Sequence, residues 1–103
     1  MERLNELCKA LDVAIHQMAK YGKDKADAEH TYRIAYQQEV LKLRDEGMPA
    51  TLIEKVANGI TADLRQKRDI ADVFYKTAQE KINGIKKQIE VINDEVNREW
   101  SKK

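Results

Sequence analysis

The sequence predicts an all-α protein: one long antiparallel helical hairpin with coiled-coil-like packing and a short helix at its corner. Three observations carry this. Residues 2–46 and 61–100 contain no Pro and one Gly each, Gly22 and Gly84. Apolar residues recur at steps of three and four in both stretches, the spacing of a helix with one buried stripe. The sole Pro and the other two Gly fall between the stretches. The pattern is helix, corner, helix, within one domain spanning 1–103.

The first helix is expected over 2–46. Leu4, Leu7, Leu11, Ala14, Met18 and Tyr21 make one apolar run, and Tyr32, Tyr36, Val40 and Leu43 a second. Between them the stretch from Lys23 to Glu29 lacks large apolar groups, which makes it the weakest part of this helix. Gly47 can take the left-handed conformation that closes a helix, and Pro49 prevents immediate resumption. A short corner helix follows over 51–58. Thr51 and Glu54 have the spacing of a capping box, and Gly59 can end the helix. Thr61 is placed to cap the last helix, 61–100, with Asp63 favourable in its first turn. Its stripe reads Ile60, Leu64, Ala71, Phe74, Ala78, Ile82, Ile85, Ile89, Ile92, Val96 and Trp100, with Lys67 in the one vacant place.

Folding the chain so that Gly47 faces Ile60 brings the stripes into step. Leu43 then meets Leu64, Tyr32 meets Phe74 and Tyr75, Met18 meets Ile89, Leu11 meets Val96 and Leu7 meets Trp100. Gly22 comes level with Gly84. A lone two-helix hairpin buries little apolar surface for its length. Cys8, Ile15, Ile34, Leu41, Ile70, Val73 and Val91 lie beside or off the seam. A homodimer with four-helix packing is therefore expected.

Composition excludes several functions. The 19 basic and 18 acidic residues leave a net charge of +1, which pulls the chain toward neither nucleic acid nor an anionic membrane. Cys8 is the only cysteine, so no intrachain disulfide can form. No apolar run reaches membrane-spanning length, and the expected setting is the cytoplasm.

No catalytic constellation stands out, and an enzyme is not expected. His16 and His30 are fourteen residues apart, about 21 Å along one helix, too far to share a metal. Both read as surface histidines. Scattered carboxylates on a thin rod lack the water-poor cleft that acid–base chemistry requires. No Glu-x-x-His motif supports a di-metal bundle, and no phosphate-cradling Gly-rich loop is present. Cys8 beside the Leu4–Leu7–Leu11 run reads as a small buried hydrophobe rather than a nucleophile. The expected catalytic residues, metal ligands and cofactors are thus none.

Two groups could contact other macromolecules. Met48, Pro49, Leu52, Ile53 and Val56 form an apolar corner, either a cap on the hairpin or a docking surface for a protein partner. Tyr32, Tyr36, Arg65 and Arg68 could instead stack bases and hold phosphates of a single strand. The alternative for Tyr32 and Tyr36 is a place in the core, hydroxyls reaching water. A duplex-reading helix-turn-helix at the corner is disfavoured, because six basic and five acidic residues over 41–70 leave a weak positive footprint.

The run from Leu43 to Ile53 (Leu-Arg-Asp-Glu-Gly-Met-Pro-Ala-Thr-Leu-Ile), then Asn58-Gly59, Leu64-Arg65, Arg68-Asp69-Ile70-Ala71, Tyr75 and Arg98-Glu99-Trp100, resembles small uncharacterised helical proteins of phages and prophages of Gram-positive bacteria. The resemblance spans roughly residues 30–100 and includes no catalytic motif. It implies an accessory role near phage DNA replication or recombination, in the host cytoplasm, and assigns no residue a function. The combined expectation is a non-enzymatic accessory protein acting by protein–protein interaction, with single-stranded nucleic-acid binding as the alternative.

Overall fold

A computed structural model describes residues 2–101. They form three helices, α1 (Glu2–Asp45), α2 (Ala50–Ile60) and α3 (Ala62–Ser101), with no strand among the described residues. The principal extents are 81 × 21 × 14 Å. Helices with side chains are about 10–12 Å across, so this cross-section holds two side by side. The antiparallel hairpin is therefore observed.

The reversal occupies only Glu46 to Pro49. Gly47 has φ +81°, the only positive φ among the described residues. Its N–H donates to the Arg44 carbonyl at 3.0 Å, and the Met48 N–H donates to the Leu43 carbonyl at 3.1 Å. This pair of bonds is a Schellman closure, completed by Met48 packing on the Leu43 cluster. α2 then begins at Ala50, directly after Pro49, whose carbonyl accepts from the Leu52 N–H at 2.9 Å. The expected capping box is absent. Thr51 lies inside the first turn, and no side chain caps α2. The preset φ of Pro starts the helix without one.

Thr61 also departs from expectation. It is 2% exposed, and its Oγ1 donates backward to the Ala57 carbonyl at 2.8 Å rather than capping α3. The Thr61 N–H bonds the Ala57 carbonyl, and the Arg65 N–H bonds the Thr61 carbonyl. Helical hydrogen bonding thus passes through the junction. Gly59 sits within α2 and ends nothing.

These details correct the register. Gly22 faces Tyr75, Lys25 pairs with Asp72, and Glu29 with Arg68. In each pair the residue numbers add to 97, against the 107 expected, a relative slide of about 15 Å between arms. Gly84 is consequently not level with Gly22. Ala14, Leu11 and Leu7 pack with Ile82, Ile85 and Ile89, so Leu11 does not meet Val96 and Leu7 does not meet Trp100. The cause is α2. Rather than capping a wide corner, it packs on α1 and scarcely touches α3. Ile53 and Ala57 meet Leu43, and α2 is the first section of the returning arm.

The corrected seam is more regular than the expected one. On the return arm Thr61, Leu64, Arg68, Ala71, Tyr75, Ala78, Ile82, Ile85, Ile89, Ile92 and Val96 are all buried or half-buried, at strictly alternating steps of three and four. On α1 the same alternation runs from Leu4 through Lys25 and Ala28 to Tyr32. Phe74 and Lys67, expected on the seam, are exposed, and Tyr75 and Arg68 hold those places. The core comes in two parts. Ala14, Ile82 and Ile85 form one cluster, and Leu43, Ile53 and Ala57 the other.

Candidate functional site

Between the two apolar clusters the rod has a polar waist. Here the α1 stretch poor in apolar residues meets Arg68, Asp72 and Tyr75. Lys25 Nζ lies 3.0 Å from Asp72 Oδ1, and Lys76 Nζ 3.0 Å from Asp72 Oδ2. Hydrogen bonds from Lys76 and then Lys25 hold the Asp72 carboxyl below its ordinary pKa. Arg68 reaches Asp69 at 3.0 Å and Glu29 at 3.7 Å, and Glu29 also takes Arg33 at 2.8 Å. The hydrogen bonds that Arg68 donates to Asp69 lead in raising the Arg68 pKa.

Aromatic rings line the waist. Lys25 Nζ stands 4.9 Å above the Tyr75 ring, and the Arg68 guanidinium 4.6 Å above Tyr32. Tyr32 and Tyr36 are 6.1 Å apart, tilted. A Cβ at Gly22 would come within 3.3 Å of Tyr75, so glycine lets that ring lie against the α1 backbone. These pairs are largely solvated, and such pairs contribute little to stability. The waist sets register more than it holds the arms together.

Of the four residues considered for nucleic acid, three come together: Arg68 lies over Tyr32, and Tyr36 adjoins it. Arg65 contacts Asn58 Oδ1 at 3.5 Å. Tyr32 and Tyr36 are half-buried, as core tyrosines would be, and the Arg68 charge is met by its acidic neighbours.

The corner residues divide. Ile53 is 8% exposed and belongs to the core; Met48 and Val56 are half-buried against it. Pro49 and Leu52 face solvent. Thus only part of the expected docking set is presented outward. Cys8, expected to be buried, is exposed. It stands one residue past Leu7, just outside the seam. His16 and His30 are exposed, and His16 Nδ1 donates to the Asp12 carbonyl at 2.8 Å.

The seam leaves two contrasting flanks. One carries the waist ion pairs. The other holds a shallow groove of about 220 Å³ lined by Tyr21, Asp24, Lys67, Ile70, Ala71 and Phe74. There Tyr21 and Phe74 stack with ring centroids 5.7 Å apart. Reading Phe74 as a seam residue concealed this flank. The unbroken three–four ladder through Arg68 and Tyr75 was the signal that places Phe74 outside it.

No group of three or more His, Cys, Asp or Glu among the described residues could hold a metal ion. No helix among them is long and apolar enough to cross a membrane. No family, no curated protein and no solved structure matches the chain.

Proposed function

We propose that the chain is a non-enzymatic homodimeric rod that works by protein–protein contact. One observation carries the reading. Seven hydrophobic residues are buried among the described ones, three of them alanines, while eleven large hydrophobics are exposed. Isolated exposed aliphatics are ordinary; here eleven large hydrophobics are exposed along an 81 Å rod that, among the described residues, buries only four hydrophobics larger than alanine. Surface of that kind is stabilised by covering it with another protein. The phage resemblance supplies the setting, an accessory role beside DNA replication or recombination in the host cytoplasm.

Leu52 and Pro49 are the part of the corner available to a protein partner. Tagged wild-type chain and Leu52→Asp should differ in affinity capture from the native host, with one partner lost in the variant. Equal capture by both removes the corner from the reading. Ile53→Asp is unsuitable for this test because Ile53 packs in the core.

Single-strand binding is the second reading, favoured by the juxtaposition of Arg68, Tyr32 and Tyr36. It ranks lower because Glu29 and Asp69 already meet the Arg68 charge. It requires a salt-sensitive mobility shift with single-stranded oligonucleotides. The absence of any shift at low salt eliminates it.

A further inference from the structure

The proposed homodimer has a definite face and symmetry, and this inference rests on that reading. The chain exposes 8029 Å². A compact monomer of 11.9 kDa exposes about 5,900 Å². The excess, roughly 2,000 Å², is ample for a stable interface, which takes about 800 Å² from each partner.

The location of the exposed apolar groups selects the face. Val13, Ile34 and Leu41 on α1 stand at multiples of seven from one another, so they share a stripe. Val13 and Ile34 are eleven and ten residues from Asp24, three turns to either side, which puts them on the flank of the Tyr21–Phe74 groove. On α3, Ile70 and Phe74 line that groove, and Val91, three heptads from Ile70, lines a second one on the same flank. The waist ion pairs occupy the opposite flank.

The α1 stripe is self-complementary over its four inner members. Its members at heptad spacing are Glu6, Val13, Lys20, Asp27, Ile34 and Leu41, all exposed. Reversing the stripe about its midpoint, between Lys23 and Asp24, sets Val13 against Ile34 and Lys20 against Asp27. In these two inner pairs opposite charge meets opposite charge and apolar meets apolar; the outermost pair, Glu6 with Leu41, is not matched. In the observed register that midpoint lies level with Val73 and Phe74, within a turn of the α3 apolar patch. Ile70 and Phe74 therefore lie beside the axis, whereas Val91 stands about 26 Å further along the rod. Asp24, lining the same groove as Lys67, offsets the charge that α3 brings there.

We propose that two copies pack antiparallel through this flank, about a two-fold axis crossing the rod at Lys23–Asp24 and Val73–Phe74. Each Lys20 meets the Asp27 of the other copy, and each Val13 meets the other's Ile34. The turn of one rod lies beside the helix ends of the other.

Charge reversal across the axis, followed by sedimentation equilibrium, tests this. Lys20→Asp should weaken the dimer at least tenfold, and Lys20→Asp with Asp27→Lys should restore it to within a few-fold of wild type. Val13→Glu should weaken it too, whereas Ile15→Glu, outside the stripe, should not. All four positions are exposed, and far-UV circular dichroism verifies that helix content is kept. A wild-type dimer indifferent to Lys20→Asp and Val13→Glu overturns this face while leaving the homodimer standing. Wild type sedimenting only at 11.9 kDa at high micromolar concentration overturns both.

Discussion

Three glycines in helical or turn positions have three different costs, and their neighbours set each one. Gly47 sits at φ +81°, where any Cβ is strained, so Gly47→Ala should lower stability by about 1–2 kcal/mol in urea unfolding. Gly84 lies mid-helix with no atom within 4 Å of a new Cβ. Gly84→Ala should therefore raise stability by about 0.8–1 kcal/mol, the helix-propensity difference. Gly22→Ala has the same propensity gain, but its methyl group would press on the Tyr75 ring. A smaller gain than at Gly84 is expected, and an equal gain would mean that Tyr75 moves freely. Asp72 contributes a sensitivity of the rod to acid. Its folded-state pKa lies below the unfolded value of about 3.9. It thus stabilises the fold above that pH and loses the contribution as pH falls through the lower folded value. Thermal melts from pH 5 to pH 2 should show a smaller decline for Asp72→Asn than for wild type.

At the scale of elements, the decisive one is α2. Its stripe of Ile53, Val56 and Ala57 lies on α1, which lengthens the return arm and moves every later pair. The two apolar clusters are separated by the waist, so damage to each should remain local. Ile82→Ala and Ile53→Ala each truncate a buried isoleucine and should cost about 2–5 kcal/mol. Amide hydrogen exchange should then speed mainly around Ala14 and Ile85 in the first variant and around Leu43 and Ala57 in the second. Uniform acceleration along both arms would show that the waist couples the clusters tightly. Thr61→Val is expected to be mild by comparison. The Ala57 carbonyl keeps its bond from the Thr61 N–H when the hydroxyl is lost, and only a smaller part of the roughly 0.5–1.5 kcal/mol of a hydrogen bond is removed.

For the whole molecule, shape governs behaviour. The radius of gyration is 22.9 Å, against about 13 Å for a compact domain of this length. A rod gains little by growing longer, because that adds exposed flank as fast as seam. It gains by lying against another rod. Small-angle scattering of the dimer should give a maximum dimension near the 81 Å of one rod, since antiparallel copies overlap over their full length. A dimension approaching twice that would require end-to-end association and exclude the lateral packing proposed above.

The helices themselves were legible in the sequence. The scarcity of Gly and Pro, the threes and fours, and Gly47 followed by Pro49 determine two long helices and the place of the reversal, because these are local preferences of the backbone. The register, the true seam and the exposed flank were settled only by tertiary packing. Arg68, Tyr75, Lys25 and Thr61 hold seam places without looking apolar, and each does so by a contact across the hairpin or a backward bond to its own helix. Phe74 looks like core and faces outward, because Tyr75 one residue later takes the place against Gly22. A hydrophobic stripe limits which face turns inward, but the height at which two stripes meet depends on how tightly the chain turns. Here a four-residue reversal with a Schellman closure brings α2 back along α1 at once.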